Sequence, residues 1–268
     1  MTRKKLTRSL IPLTIAMSLG LFAAPGMSES YSDSLGESSQ IVGNEWNAFS
    51  PPADMGTPGR REGGGTRGDC ATVGSALTAL IPETNAGATI SGSPSLFFHV
   101  PATSERIELE FVLQDVERNT IYTKTLSAPA RSGIVQIDLK DEAAPDLQVG
   151  QHYHWYFSAI CNPNDRSADI HVEGWIQRIE SEKTEAKLQT ATSPSETIAV
   201  YSESALWYDA LAAMAEQRRA NPDDVNLEAQ WQQLLATVGL NSIAQAPLVE
   251  WNSVQYFAFK KYIARQYR

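Results

Sequence analysis

The stretch Gly150–Arg178, GQHYHWYFSAICNPNDRSADIHVEGWIQR, contains two alternating apolar runs around an Asn-Pro-Asn-Asp turn signal, the pattern of a β-hairpin. Side chains on a strand alternate between its faces, so Tyr153, Trp155, Phe157, Ala159 and Cys161 share one face, and His152, His154, Tyr156 and Ser158 share the other. In the second run Ile170, Val172, Gly174 and Ile176 fall together, opposite His171, Glu173, Trp175 and Gln177. The hairpin therefore joins an apolar face suited to a core with a face carrying three of the four histidines, where chemistry would be sought.

Working outward, period-two runs recur upstream at Leu96–Val100, Ile107–Leu113, Thr120–Leu126 and Ile134–Leu139, separated by Pro and Gly clusters. With the hairpin, and with Ser75–Leu80 read as a short turn of helix or strand ended by Pro82, they predict six or seven strands in an antiparallel, immunoglobulin-like sandwich over residues 58–179. Near Glu180 the period changes. ESEKTEAK at 180–187 reads as a charged bridge, and Ser193-Pro194-Ser195-Glu196 as a capping box opening a helix that runs to Arg219. Asn221-Pro222-Asp223-Asp224 breaks it; Leu227, Trp231, Leu234, Leu235 and Val238 then recur at helical spacing up to a stop at Gly239. The expected fold is α+β, mainly β: the sandwich, followed over 190–268 by a tetratricopeptide-like helical hairpin, with Trp251–Arg268 as a closing helix.

The first 28 residues have a basic head (Arg3, Lys4, Lys5, Arg8), an uncharged apolar run and small residues after it, the layout of a secretory signal peptide. Residues 29–57 read as a flexible, Ser- and Glu-rich leader. Removing the signal peptide takes four basic and no acidic residues, moving the net charge from −9 to −13 (18 basic against 31 acidic). That excess argues against nucleic acid and anionic lipid as partners. The expected location is periplasmic or extracellular, without membrane insertion after cleavage. In an exported chain, Cys70 and Cys161, the only two cysteines, read as one disulfide. Closing so long a loop is worth about 4–5 kcal/mol on the chain-entropy model.

Candidate chemistry is sparse. His152 and His154 with His171 from the next strand have the residue types of a three-histidine zinc site, provided the hairpin register lets them meet. A turn limited to Asn162–Asp165 puts His171 opposite Tyr156, whereas a loop reaching Ala168 puts it opposite Ala159 and out of range. Tyr156 and Trp175, read as exposed, suggest carbohydrate binding instead. Gly63-x-Gly65-x-x-Gly68 matches a dinucleotide fingerprint in letters, but no strand precedes it; Arg67-Gly68-Asp69 matches an adhesion tripeptide. The segment reads as a tight loop whose Arg60, Arg61 and Arg67 pair with the acidic body. No nucleophile elbow occurs, and no cofactor is called for.

Several motifs together carry a family resemblance: R-R-E-G-G-G-T-R-G-D-C at 60–70, L-T-A-L-I-P at 77–82, E-F-V-L-Q-D at 110–115, G-Q-H-Y-H-W-Y-F-S-A-I-C at 150–161, V-E-G-W-I-Q-R at 172–178, L-W-Y-D-A-L at 206–211 and W-Q-Q-L-L at 231–235. Over about residues 58–248 the chain resembles the cyanobacterial exported domain-of-unknown-function family 928. The resemblance implies no catalytic residues. It associates the chain with envelope, adhesin-type and caspase-like signalling proteins, and so with a non-catalytic binding or scaffold role toward another envelope protein. Of the sequence readings, the disulfide is the most directly checked: the denatured, unreduced protein should titrate no free thiol, and two after reduction.

Overall fold

The computed structural model describes residues 49–52, 55, 59–64, 77–103, 107–140 and 143–249. The signal peptide, most of the leader, Arg67, Cys70 and the tail from Trp251 lie outside them. The strands in chain order are β1 (Thr78–Ala79), β2 (Ala86–Thr89), β3 (Ser95–Val100), β4 (Glu108–Gln114), β5 (Thr120–Ser127), β6 (Gly133–Asp138), β7 (His152–Ile160) and β8 (Ile170–Arg178). They form a three-stranded sheet, β1-β3-β6, and a five-stranded sheet, β2-β8-β7-β4-β5. Among the described residues four helices follow: α1 (Glu182–Thr190), α2 (Pro194–Glu203), α3 (Trp207–Ala220) and α4 (Val225–Ala236). The chain is thus α+β and mainly β.

The alternation read from the sequence sets the core. Leu109, Phe111 and Leu113 of β4, Trp155, Phe157 and Ala159 of β7, and Ile170, Val172 and Ile176 of β8 are all buried on the inner face of the large sheet. Phe98 of the small sheet stacks on Phe157 with centroids 4.1 Å apart and meets Trp155 edge-on at 5.4 Å. Each such aromatic contributes roughly 1.5–3 kcal/mol by burial, and the ring geometry adds to that. The hairpin loop ends in a short 3₁₀ turn at Arg166–Ala168, and His171 faces Ser158. Neither expected register is met: the long loop forms, but pairing is one residue from the form that places His171 opposite Ala159.

One strand pair departs from an all-antiparallel sandwich. β2 runs parallel to β8, with Ala86 opposite Trp175 and Thr89 opposite Arg178, so the large sheet is mixed. Local periodicity reports which residues face inward but carries nothing about strand direction. Next to β2 along the same edge of β8, Arg60 exchanges both backbone hydrogen bonds with Glu173, at 2.9 and 2.8 Å. Arg61 and Gly63 bond meanwhile to Ala79 and Leu77 on the small sheet. The Gly-Arg segment read as a loop is a clasp that adds backbone to an edge of each sheet.

The helical half corrects two expectations. The charged bridge is helix α1, capped by the Ser181 hydroxyl accepting from the Thr184 N–H. The long helix from Pro194 is broken into α2 and α3. Its first part ends as the C″ Leu206 N–H donates to the Tyr201 carbonyl (3.0 Å) and the C′ Ala205 N–H to that of Ser202 (3.1 Å). This is a Schellman arrangement with Ala205 at φ 55° in the place glycine normally takes, so the usual sequence signal is missing. At the end of α4 the same motif uses Gly239 at φ 74°, where the stop is read correctly. Half of the expected capping box forms, the Ser193 hydroxyl accepting from the Glu196 N–H, while the Glu196 carboxylate accepts from the Thr192 N–H, one residue before the cap, at 2.6 Å.

Sheets and helices lie within one compact unit and share one hydrophobic core. Helix α3 packs on β2 and β3. A Cβ on Gly87 would fall 2.9 Å from the Tyr208 ring, so the missing side chain is what lets the helix approach. There the Trp155 indole N–H donates to the Tyr208 hydroxyl (3.1 Å), which donates to the Trp175 carbonyl (2.9 Å). The Trp207 indole donates to the Leu80 carbonyl at 2.7 Å. Tyr208→Phe leaves a buried indole N–H and a carbonyl without this partner and should destabilise by roughly 2–4 kcal/mol in urea denaturation. In a double-mutant cycle with Trp155→Phe the two losses should be less than additive; strict additivity would remove the bond from the account.

Candidate functional site

The outer face of the large sheet holds the residues with chemical potential. Cross-strand pairing sets His152 opposite Gln177, His154 opposite Trp175, Tyr156 opposite Glu173 and Ser158 opposite His171. The result is a row of rings. His152 meets Trp175 edge-on at 5.7 Å, and Trp175 stacks on His154 at 4.2 Å with planes 7° apart. His154 then lies 4.4 Å from Tyr156, and Tyr156 6.1 Å from His171. The pairs that cross from β7 to β8, all but His154–Tyr156, contribute roughly 0.2–1 kcal/mol each to sheet stability.

Glu173 sits between the histidines, a placement not recognised in the sequence although it alternates in phase with His171. Its carboxylate is 3.1 Å from His154 Nε2 and 3.9 Å from His171 Nε2. The three histidines do not converge. His152 and His171 stand six pairing steps apart, about 20 Å at strand rise. Among the described residues no group of three His, Cys, Asp or Glu side chains is arranged to hold a metal.

His154 is 7% exposed, and its Nε2 makes no hydrogen bond because Glu173 lies off the bonding direction. Aligned, that carboxylate would favour the imidazolium. As it stands, the cost of burying a charge prevails, and with a smaller contribution from the Arg118 cation it pulls the imidazole down to about 4. Arg118 comes from the β4–β5 turn, where it takes φ 66°, and no motif marks it. Burial, and secondarily the Glu173 charge, push the Tyr156 phenol up.

The carbohydrate reading takes Trp175 as exposed, and that exposure is corrected. Trp175 is 8% exposed, stacked on His154 and clustered with Met55 and Ala86, with Phe49 packed beside them. A residue in phase with the polar face was covered by the N-terminal segment, which no strand pattern announces. Tyr156 and His171 remain half-buried on the open face. Arg60 is exposed and spends its backbone on the clasp. Arg61 bonds to the Ile81 and Val238 carbonyls and lies 3.8 Å from Glu83. Arg61 thus pairs with the body as expected, while Arg67 is outside the described residues. Cys161 follows β7, its N–H donating to Asp169 Oδ1 (3.2 Å), and the pairing with Cys70 lies outside the described residues.

A second buried titratable group acts against His154. Asp209, in the first turn of α3, takes an N–H from Ile90 at 3.3 Å, and burial pushes it up to about 6. A depressed histidine stabilises the fold above pH 6.5, and that contribution is lost as pH falls toward 4. A raised aspartate has the reverse sign, its contribution present below 3.8 and lost as pH rises through 6. Relative to the unsubstituted protein, His154→Gln should gain stability on acidification from pH 6.5 to 4, and Asp209→Asn should lose it. Each difference should be at most about 3 kcal/mol by urea denaturation. If both variants track the parent's pH profile, the two assignments fail.

A search of curated proteins finds no match. The family model described as Domain of Unknown Function (DUF928) matches residues 62–248, from within the clasp to the segment that pairs with β6. Its match covers both sheets and all four helices, and the chain belongs to the DUF928 family.

Proposed function

We propose that this protein is an exported, non-catalytic binding or scaffold module of the cell envelope. It acts through protein–protein contact at the outer face of the large sheet, around Tyr156 and His171. The observation that carries this reading is the state of the groups with catalytic potential there. His154 is neutral and stacked beneath Trp175, and Glu173 is held between two imidazoles, so the face offers a row of rings on a sheet and no reactive constellation. Such faces, with Tyr and His at the centre and charges at the rim, suit macromolecular partners, whereas small ligands favour concave sites. Arg166, bonded to Glu110 at 2.8 Å and to Asp169, supplies one rim.

Within this reading the two sheets serve as an immunoglobulin-like platform despite the parallel β2–β8 pair. Helices α3 and α4 form a tetratricopeptide-like hairpin that buttresses it. The signal peptide and the Cys70–Cys161 disulfide belong to the same proposal, since an oxidising compartment beyond the membrane accounts for both. The zinc alternative requires the histidines to meet, and nothing in their geometry favours it.

The test is a photo-crosslinking amino acid placed at position 156 in the full chain expressed with its own leader. A discrete crosslinked species should appear from position 156 and be absent from position 183, exposed on α1. No adduct from 156, or the same adduct from both positions, would defeat the proposal.

A further inference from the structure

A separate site lies at the far end of the helical half, where α3 ends and α4 begins. A cavity of about 300 Å³ is lined there by Arg218, Arg219, Asp224, Glu228, Pro247 and Leu248. The side chain of Arg218 is 14% exposed and lies over the Trp231 ring, its guanidinium carbon 4.8 Å from the centroid. Of its two terminal nitrogens, one, Nη2, pairs with Glu228 Oε2. The other, Nη1, is buried and has no acceptor, and the indole Nε1 of Trp231 beneath it is in the same condition. A buried donor left unbonded costs about 1–3 kcal/mol, more when charged. Of the two residues Arg218 belongs to the cavity wall, and its unbonded Nη1 marks a place that lacks an oxygen.

Accounting for the remaining groups decides the sign of that oxygen. Glu228 is committed through Oε2 to Arg218 and through Oε1 to Gln232 (2.8 Å). Asp224 Oδ1 caps α4, accepting from the Asn226 and Leu227 N–H groups. Asn221 donates to the Gln217 carbonyl. Arg219 is exposed at the end of α3 and makes no ion pair with the described residues. The C-terminus of α3 and the N-terminus of α4 present opposite dipole ends, which offset one another. The uncommitted donors are therefore the cationic Arg218 Nη1 and Arg219, beside one carboxylate oxygen, Asp224 Oδ2, that takes no bond among the described residues. Pro222, Pro247 and Leu248 supply an apolar wall.

We propose that this cavity binds a carboxylate carried on an apolar body, with the carboxylate oxygens accepting from Arg218 Nη1 and Arg219. A polypeptide C-terminus and a free short-chain carboxylic acid both carry that chemistry. The guanidinium fork suits a carboxylate because it presents donors in the plane of the group it recognises. Ligand binding needs the guanidinium, which lies over the Trp231 ring, to turn Nη1 toward the cavity that Arg218 already lines.

The experiment uses the full mature chain, titrated with N-acetyl-leucine, 4-methylpentanoate and N-acetyl-leucinamide. Binding is read by calorimetry and by the Trp231 indole and Arg218 guanidinium ¹⁵N–¹H resonances. N-acetyl-leucine should bind at least tenfold more tightly than the amide and shift both resonances. Tighter binding of N-acetyl-leucine than of 4-methylpentanoate assigns a peptide terminus, and equal binding assigns a small acid. Arg218→Met should abolish the preference for carboxylate over amide. Because that variant unpairs Glu228, exposed Arg219→Gln is the second, expected to weaken the acid about threefold with folding intact. No binding of either acid, or equal affinity for acid and amide, overturns the proposal.

Discussion

The hydroxyl of Tyr208 is the point on which the rest of the structure depends. It accepts from the Trp155 indole on β7 and donates to the Trp175 carbonyl on β8, inside a fully buried layer. A phenol in such a place is stable only when its hydrogen bonds are made, and burial pushes its ionisation far above the ordinary range. The bonds tie helix α3 to the central strands of the large sheet. That fixes the approach at Gly87 and brings Asp209, the next residue on the helix, to the loop that follows β2. Trp207, the preceding residue, reaches Leu80 beside the small sheet. Three consecutive residues at the start of one helix thus join it to both sheets.

The outer face of the large sheet follows from the same strands seen from the other side. Because β7 and β8 pair with His154 opposite Trp175, the imidazole is stacked and dehydrated, and it is held neutral. A shift of one residue in that register would exchange the two faces of β8 and lose the core with it. The histidines therefore have their positions set by the needs of the apolar face. In this environment a histidine beside a carboxylate packs as an element of the sheet, and burial disfavours its protonation.

The clasp at residues 59–63 explains how the two sheets are held at the edges of β8 and β1. Backbone hydrogen bonds on successive residues alternate in direction, so one extended segment passing between the sheets can bond to each in turn, as Arg60 and Arg61 do. Gly59 lies against the Glu173 carbonyl, where a Cβ would come within 2.3 Å. Over the described residues 59–64 this segment is thereby a structural device.

What the linear chain establishes here is periodicity: the inward rows of β4, β7 and β8, the cap at Ser193, the break at Asn221–Asp224 and the stop at Gly239 are local consequences of side-chain type, and they are found where the residues put them. The break at Ala205 is also local, but alanine in a left-handed position leaves no mark. The parallel β2–β8 pair, the hairpin register, the burial of Trp175 and the bridging position of Glu173 needed the tertiary structure. Each depends on residues distant in the chain meeting across a sheet, and strand direction, register and cover are properties of pairs. The cavity beside Arg218 is the extreme case, because an unsatisfied donor exists only once every neighbour has taken its place.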